Sequence, residues 1–184
     1  MAKQVWFPVL SDGGDSGTVN RGRLRDGQEV AVKRLKPGRR GAEDAFGTEL
    51  AILAPLRHDH IVRLLGRCAE AGERVVVTAY ASNGSLRDHM HGRRASPSSS
   101  PVTASWEAGV RALLGVARTV EHLHRRAVPL VIHRGVASSN VLLDAAWAPR
   151  LTSFGAAVWR AAGVESQPVE PVPGAAAGGY ADPE

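Results

Sequence analysis

The 184-residue chain carries 23 Lys and Arg against 18 Asp and Glu, a formal net charge of +5, with 43% hydrophobic and 5% aromatic residues. This is the composition of a single globular, soluble domain, large enough to bury about 70% of its unfolded surface. No apolar run approaches the roughly 18 residues needed to cross a bilayer, and Met1 to Trp6 has no signal-peptide pattern. Cys68 stands alone, which excludes an internal disulfide framework and points to a reducing, cytoplasmic setting. The arginines are scattered and few aromatics are available to stack on bases, so nucleic acid is not an expected partner.

In chain order, Val19 to Leu24 and Glu29 to Leu35 read as strands joined through Asp26-Gly27, a strong hairpin signal. Lys occurs only at positions 3, 33 and 36. Lys33 sits in the apolar run Val30 to Leu35, where a charge requires a partner. A helix is expected over Glu43 to Leu56, with Phe46, Leu50 and Leu53 forming its apolar stripe and Glu49 on the same inward side. Ile61 to Cys68 and Arg74 to Tyr80 read as two more strands, and Ser85 to His91 as a short helix. Residues 92–105 form a polar Ser/Pro-rich loop. Trp106 to Arg126 is a long amphipathic helix, with Val110, Leu113, Leu114, Ala117, Val120 and Leu123 on one side. Val141 to Leu143 and Arg150 to Thr152 read as short strands. The stretch from about Gly163 to Glu184 is rich in Pro, Gly and Ala and lacks periodicity.

Four segments carry chemistry. Asp12 to Val19 is a Gly-rich turn, in which Gly14 and Gly17 can adopt the positive φ that other residues avoid. Val30-Ala31-Val32-Lys33 is followed sixteen residues later by Glu49. Val131-Ile132-His133-Arg134-Gly135-Val136-Ala137-Ser138-Ser139-Asn140 leads into Val141-Leu142-Leu143. Leu151-Thr152-Ser153-Phe154-Gly155 follows, and Ala181-Asp182-Pro183-Glu184 ends the sequence. In order and spacing these segments resemble the phosphate-covering loop, the V-A-I-K strand, the H-R-D catalytic loop, D-F-G and A-P-E of protein kinases. Leu56 to Gly66, Asn83-Gly84-Ser85-Leu86, Ala127-Val128-Pro129 and Asp144 to Trp147 resemble the plant receptor-like Ser/Thr group, in particular its Crinkly-type branch.

The resemblance covers nearly the whole chain and implies an α+β, two-lobed kinase-like fold. Residues 1–81 would form a complete small lobe of antiparallel sheet plus one helix. Residues 82–184 would form a truncated, mainly helical large lobe, with 156–184 as activation segment. In a full kinase domain, further helices cover the apolar side of the Trp106 helix, which here is expected to be exposed. The resemblance assigns Lys33 to the α- and β-phosphates and to a pair with Glu49. It assigns Val19, Ala31 and Leu142 to the adenine, Thr78 to the back of the pocket, and Ala79 to Ala81 to the hinge. His133, Phe154 and Leu53 match a stacked column linking the lobes.

The same alignment shows what is missing. Gly135 occupies the place of the catalytic Asp, which accepts the substrate hydroxyl's proton. Ala137 replaces the Lys beside the transferred phosphoryl group, and Ser153 replaces the Mg²⁺-holding Asp of D-F-G. Only Asn140 of the metal-binding pair is retained. General-base help alone is worth about 10² to 10⁴ in rate, and a hydroxyl is a poor exchange for a carboxylate at a hard dication. The resemblance therefore implies a pseudokinase that binds ATP without Mg²⁺ and partners an active receptor-like kinase or another signalling protein, reaching the membrane only through that partner. Two rival readings stand beside it: a weakly active ATP-dependent Ser/Thr kinase, and a degenerate product without selected function.

Overall fold

The computed structural model describes residues 9–12, 17–35, 41–91 and 100–160. Its first half is a five-stranded antiparallel sheet in the order β1-β2-β3-β5-β4, built from β1 Val9–Asp12, β2 Thr18–Arg23, β3 Glu29–Arg34, β4 Leu64–Cys68 and β5 Val75–Ala79. β2 and β3 meet through the expected turn. Gly27 takes φ 87°, and its N–H donates to the Leu24 carbonyl at 3.0 Å. That left-handed φ suits Gly, which has no Cβ to clash there.

Helix α1, Ala42–Leu53, packs against one face of this sheet. Its Phe46 and Leu50 close a small core with Leu35 and Val76. The helix ends three residues short of the predicted Leu56. Ala54 still has helical backbone and its N–H donates to the Leu50 carbonyl, but Pro55 has no N–H to continue the ladder. The strand predicted from Ile61 starts only at Leu64. Ile61 and Val62 instead bond to the second half of the molecule. The Val62 N–H donates to the Leu151 carbonyl at 3.0 Å, and the Leu151 N–H donates to the His60 carbonyl at 2.8 Å.

The second half comprises α2 Leu86–His91, α3 Pro101–Ala104, α4 Trp106–Arg125, β6 Leu130–Ile132, β7 Val141–Leu143, β8 Pro149–Leu151 and β9 Val158–Arg160. β7 pairs with β8, and β6 with β9. Residues 100–105, expected as loop, instead begin a short helix, with Pro101 at its first turn where a missing N–H costs nothing. Residues 92–99 lie outside the described residues. β1, β6 and β9, four, three and three residues long, are too short to show a periodic pattern.

The main core joins the halves. Ile52 and Leu53 of α1 pack with Ile61, Val62, Leu123, Val131, Leu143, Leu151 and Phe154. Toward this core α4 turns Ala112, Gly115, Thr119 and Leu123. Of the predicted apolar set, Val110, Leu113 and Leu114 are exposed, as is Trp106 at 88%. The outward apolar face expected from the sequence is therefore present over Trp106 to Leu114, whereas Leu123 of the same predicted set is fully buried. No helix among the described residues is long and apolar enough to cross a membrane.

Candidate functional site

Strand register places the site on the sheet. Val19 pairs with Lys33, Ala31 with Thr78, and Lys33 with Val76. Directly opposed and alternate residues share a face, so Val19, Ala31, Lys33, Val76 and Thr78 all point to the α1 side. There Lys33 Nζ donates to Glu49 Oε2 at 2.8 Å. Glu49 is 2% exposed, and the Lys33 side chain retains 22%. The partner required by a Lys in an apolar strand is thus Glu49, the residue the kinase resemblance assigns to it, on the inward side that helical spacing gives. Gly17 shows why that turn needs glycine. Its φ is +116°, and an added Cβ would lie 2.1 Å from the Arg34 carbonyl oxygen. Gly14 lies outside the described residues, as do residues 161–184 with Ala181 to Glu184.

The second group of predicted residues surrounds the loop from His133 to Asn140. The Asn140 N–H donates to the Ala137 carbonyl at 2.9 Å, its Nδ2 to the Gly135 carbonyl at 2.8 Å, and its own carbonyl accepts from the Thr152 N–H at 3.0 Å. His133 Nε2 donates to the Thr152 carbonyl at 3.0 Å. His133 also meets the Phe154 ring edge-on, with centroids 4.5 Å apart. Because a carbonyl only accepts, Nε2 carries the proton, and the buried Nδ1 is left without a partner. Burial pushes this imidazole down to about 4, so it is neutral near pH 7. Leu53 and Phe154 share the core beneath it. Ser153 adopts the left-handed conformation, φ 68° and ψ 55°. At Gly155 an added Cβ would come within 3.3 Å of Ala45 on α1, so this segment lies directly against the helix bearing Glu49.

Thr78 ends in the sheet one residue before β5 closes, and Ala81 is buried in the connection that follows. Leu142 bridges to Ser85 at the start of that second half. Sequence reasoning missed the network behind Leu142. Asp144 Oδ1 accepts from the Ala146 and Ala148 N–H groups, each at 2.9 Å, while Oδ2 takes both Arg150 Nε and Nη2, at 2.9 and 2.7 Å. Asp144 is therefore committed to the β7–β8 turn. Its signal was available in the sequence, as an Asp two and four residues before potential backbone donors.

A sheet with a buried Lys–Glu pair, joined through α1 to a His-Asn loop and a Phe-Gly turn, defines the scaffold of a protein kinase domain. A family model for protein tyrosine and serine/threonine kinases matches residues 10–165, and the chain belongs to that family. It is 40% identical over 178 residues to the serine/threonine-protein kinase-like protein CCR3 of Arabidopsis thaliana, covering 93% of this chain and 22% of that protein. To the kinase-like protein CCR4 of the same plant it is 37% identical over 185 residues, covering 93% and 24%. To the Arabidopsis calcium/calmodulin-regulated receptor-like kinase 1 it is 39% identical over 149 residues, covering 81% and 32%. The chain thus spans between about a fifth and a third of the length of these relatives. It is a kinase-like domain related to plant receptor-like Ser/Thr kinases.

Proposed function

We propose that this domain works by binding and not by phosphoryl transfer: a pseudokinase of receptor-like Ser/Thr kinase ancestry that holds ATP without Mg²⁺ and presents its surface to an active receptor-like kinase or another signalling protein. Its lobes divide after residue 81, and it acts on the cytoplasmic side, reaching the membrane through its partner. The observation that carries the reading is the pair Gly135 and Ser153 at the two positions where the resemblance demands carboxylates. Asp144, the nearest acid in sequence after the loop, is held by Arg150 and two backbone N–H groups. Asn140 donates its Nδ2 to the Gly135 carbonyl, which leaves its neutral Oδ1 as the one retained oxygen, with no carboxylate beside it. That donor set does not fit Mg²⁺, which favours charged oxygen. The nucleotide side is better preserved: Lys33 stands beside Glu49, and Val19, Ala31 and Thr78 share its face.

The test has two arms. Labelled ATP with Mg²⁺ or Mn²⁺ and a generic protein substrate is expected to give no phosphate transfer above a Lys33→Ala control; a reproducible Lys33-dependent signal overturns the inactive reading. Thermal shift with ATP in excess chelator is expected to show stabilisation, about 2.7 kcal/mol at 100 times the dissociation constant. No shift at millimolar ATP removes the nucleotide.

A further inference from the structure

Three imidazoles meet where the connection between α1 and β4 crosses α4. The His58 and His122 ring centroids lie 4.9 Å apart, and those of His58 and His60 5.8 Å. α4 comes this close because Gly115 has no side chain. A Cβ there would lie 2.5 Å from Pro149 Cγ and 3.1 Å from the His60 ring. Among the described residues no three His, Cys, Asp or Glu are arranged to hold a metal, so the rings meet as packing partners.

The hydrogen bonds fix the state of His58. Its Nδ1 accepts the backbone N–H of His60 at 3.1 Å. The ring is therefore in its neutral form with the proton on Nε2. The adjacent Thr119 hydroxyl donates to the Gly115 carbonyl at 3.0 Å. A proton added at Nδ1 would replace an acceptor by a donor facing the His60 N–H. It would also place a cation against His122 and His60.

We infer that His58, packed between His60 and His122, is an acid-sensitive latch: its neutral ring holds the connection of residues 54–63 on α4, and its protonation releases it. The charged surroundings act in both senses. On the connection, Asp59 favours the protonated ring, while Arg57 donates to the Ala54 and Leu56 carbonyls at 2.7 Å. On α4 and just past its end, Arg118, Arg125 and Arg126 lie within about one turn of His122, with Glu121 paired to Arg126 at 3.5 Å. From β8, Arg150 binds Asp144 and donates to the Asp59 carbonyl. Burial and the two neighbouring imidazoles lower the basicity of His58, outweighing Asp59.

The latch matters because the connection carries the backbone bonds from His60 and Val62 to Leu151 that tie the two halves together. Hydrogen exchange of the full chain at about pH 7.5 and about pH 5.5, corrected for intrinsic rates, tests it. Protection over residues 54–63 and 115–123 is expected to fall at the lower pH while β2, β3 and β5 keep theirs. His58→Asn, whose amide oxygen can accept the same N–H and never charges, is expected to abolish the difference. Titration of the His58 ring by NMR in the unmodified chain supplies a reading independent of that variant. A uniform loss across all segments, unchanged protection at both pH values, or a His58 ring titrating at or above the ordinary histidine range overturns the proposal.

Discussion

Removing the charge of Lys33 while Glu49 stays in place strands a carboxylate that is 2% exposed and otherwise sits 2.8 Å from its ammonium. Breaking one side of a buried ion pair costs about 3–5 kcal/mol. The lower end applies here, because the Lys33 side chain keeps 22% of its surface and part of its charge is already solvated. Lys33→Met is therefore expected to destabilise by about 3 kcal/mol, and a domain of this length loses about 2–4 °C of Tm per kcal/mol, so about 6–12 °C. Lys33→Met with Glu49→Leu removes both charges and fills the space, and should recover most of the loss, ending within about 1 kcal/mol of the parent. Urea unfolding followed by circular dichroism reads this directly, provided m stays constant. A single variant within about 1 kcal/mol of the parent, or a double variant no better than the single, would show that Glu49 is not held by Lys33.

Gly17→Ala places a methyl 2.1 Å from the Arg34 carbonyl at φ +116°. It should cost about 2–4 kcal/mol in the same urea assay, and a loss under about 0.5 kcal/mol would refute the close approach. Gly135→Asp with Ser153→Asp should fold normally and gain Mg²⁺-dependent stabilisation by ATP. The atoms nearest an added Cβ at 135 are Asn140 Nδ2 at 3.5 Å and His133 Nδ1 at 3.6 Å, ordinary contact distances, and Asp tolerates the left-handed backbone at 153. A parent protein already showing that Mg²⁺ dependence would sink the assignment of those two positions. His133 is depressed in the folded state to about 4 from 6.5, so the unfolded chain binds more protons between those values. Its stability contribution is complete above about pH 6.5 and is lost as pH falls toward 4, on the order of 3 kcal/mol in all. Unfolding free energies measured for His133→Asn should show a shallower slope over that window, and an unchanged slope would place the titration elsewhere.

The parts of the fold that could be read beforehand were those where one residue type has one physical solution. A lone Lys in an apolar strand demanded a partner, helical spacing put Glu49 on the inward side, and the kinase resemblance paired the two. Asp26-Gly27 demanded a tight turn. Boundaries failed where long-range bonds compete with local pattern. Ile61 and Val62 look like strand residues, yet their backbone is taken by His60–Leu151 and Val62–Leu151 bonds that no local window reveals. The α4 stripe shows a related effect. Periodicity placed Leu123 with the apolar set and the core does take it, but the rest of the core-facing side is small, Ala112, Gly115 and Thr119, because close approach to Pro149 and His60 needs little volume. The histidine trio was illegible for the same reason: positions 58 and 122 are brought together only by that approach.

These features bear on what the missing carboxylates mean. On the proposed reading, the residues assigned to a nucleotide and those assigned to transfer are different ones: Lys33 and Glu49 form their pair, while Gly135 and Ser153 stand where the resemblance asks for carboxylates. Lys33 and Glu49 survive where losing either one would leave a charge stranded, so stability alone retains them. Gly135 and Ser153 sit at positions whose surroundings exert no such pull. Asn140 secures the loop through the Gly135 carbonyl, not through a side chain at 135. His133 holds Thr152 through its backbone carbonyl, which is indifferent to the side chain at 153. Carboxylates at these two points would serve the metal and the substrate and little else, so their loss leaves the backbone network undisturbed. Retention of the ion pair is therefore weak testimony for nucleotide binding, and the ATP titration in chelator, not the geometry of Lys33, decides whether a ligand still uses the cleft.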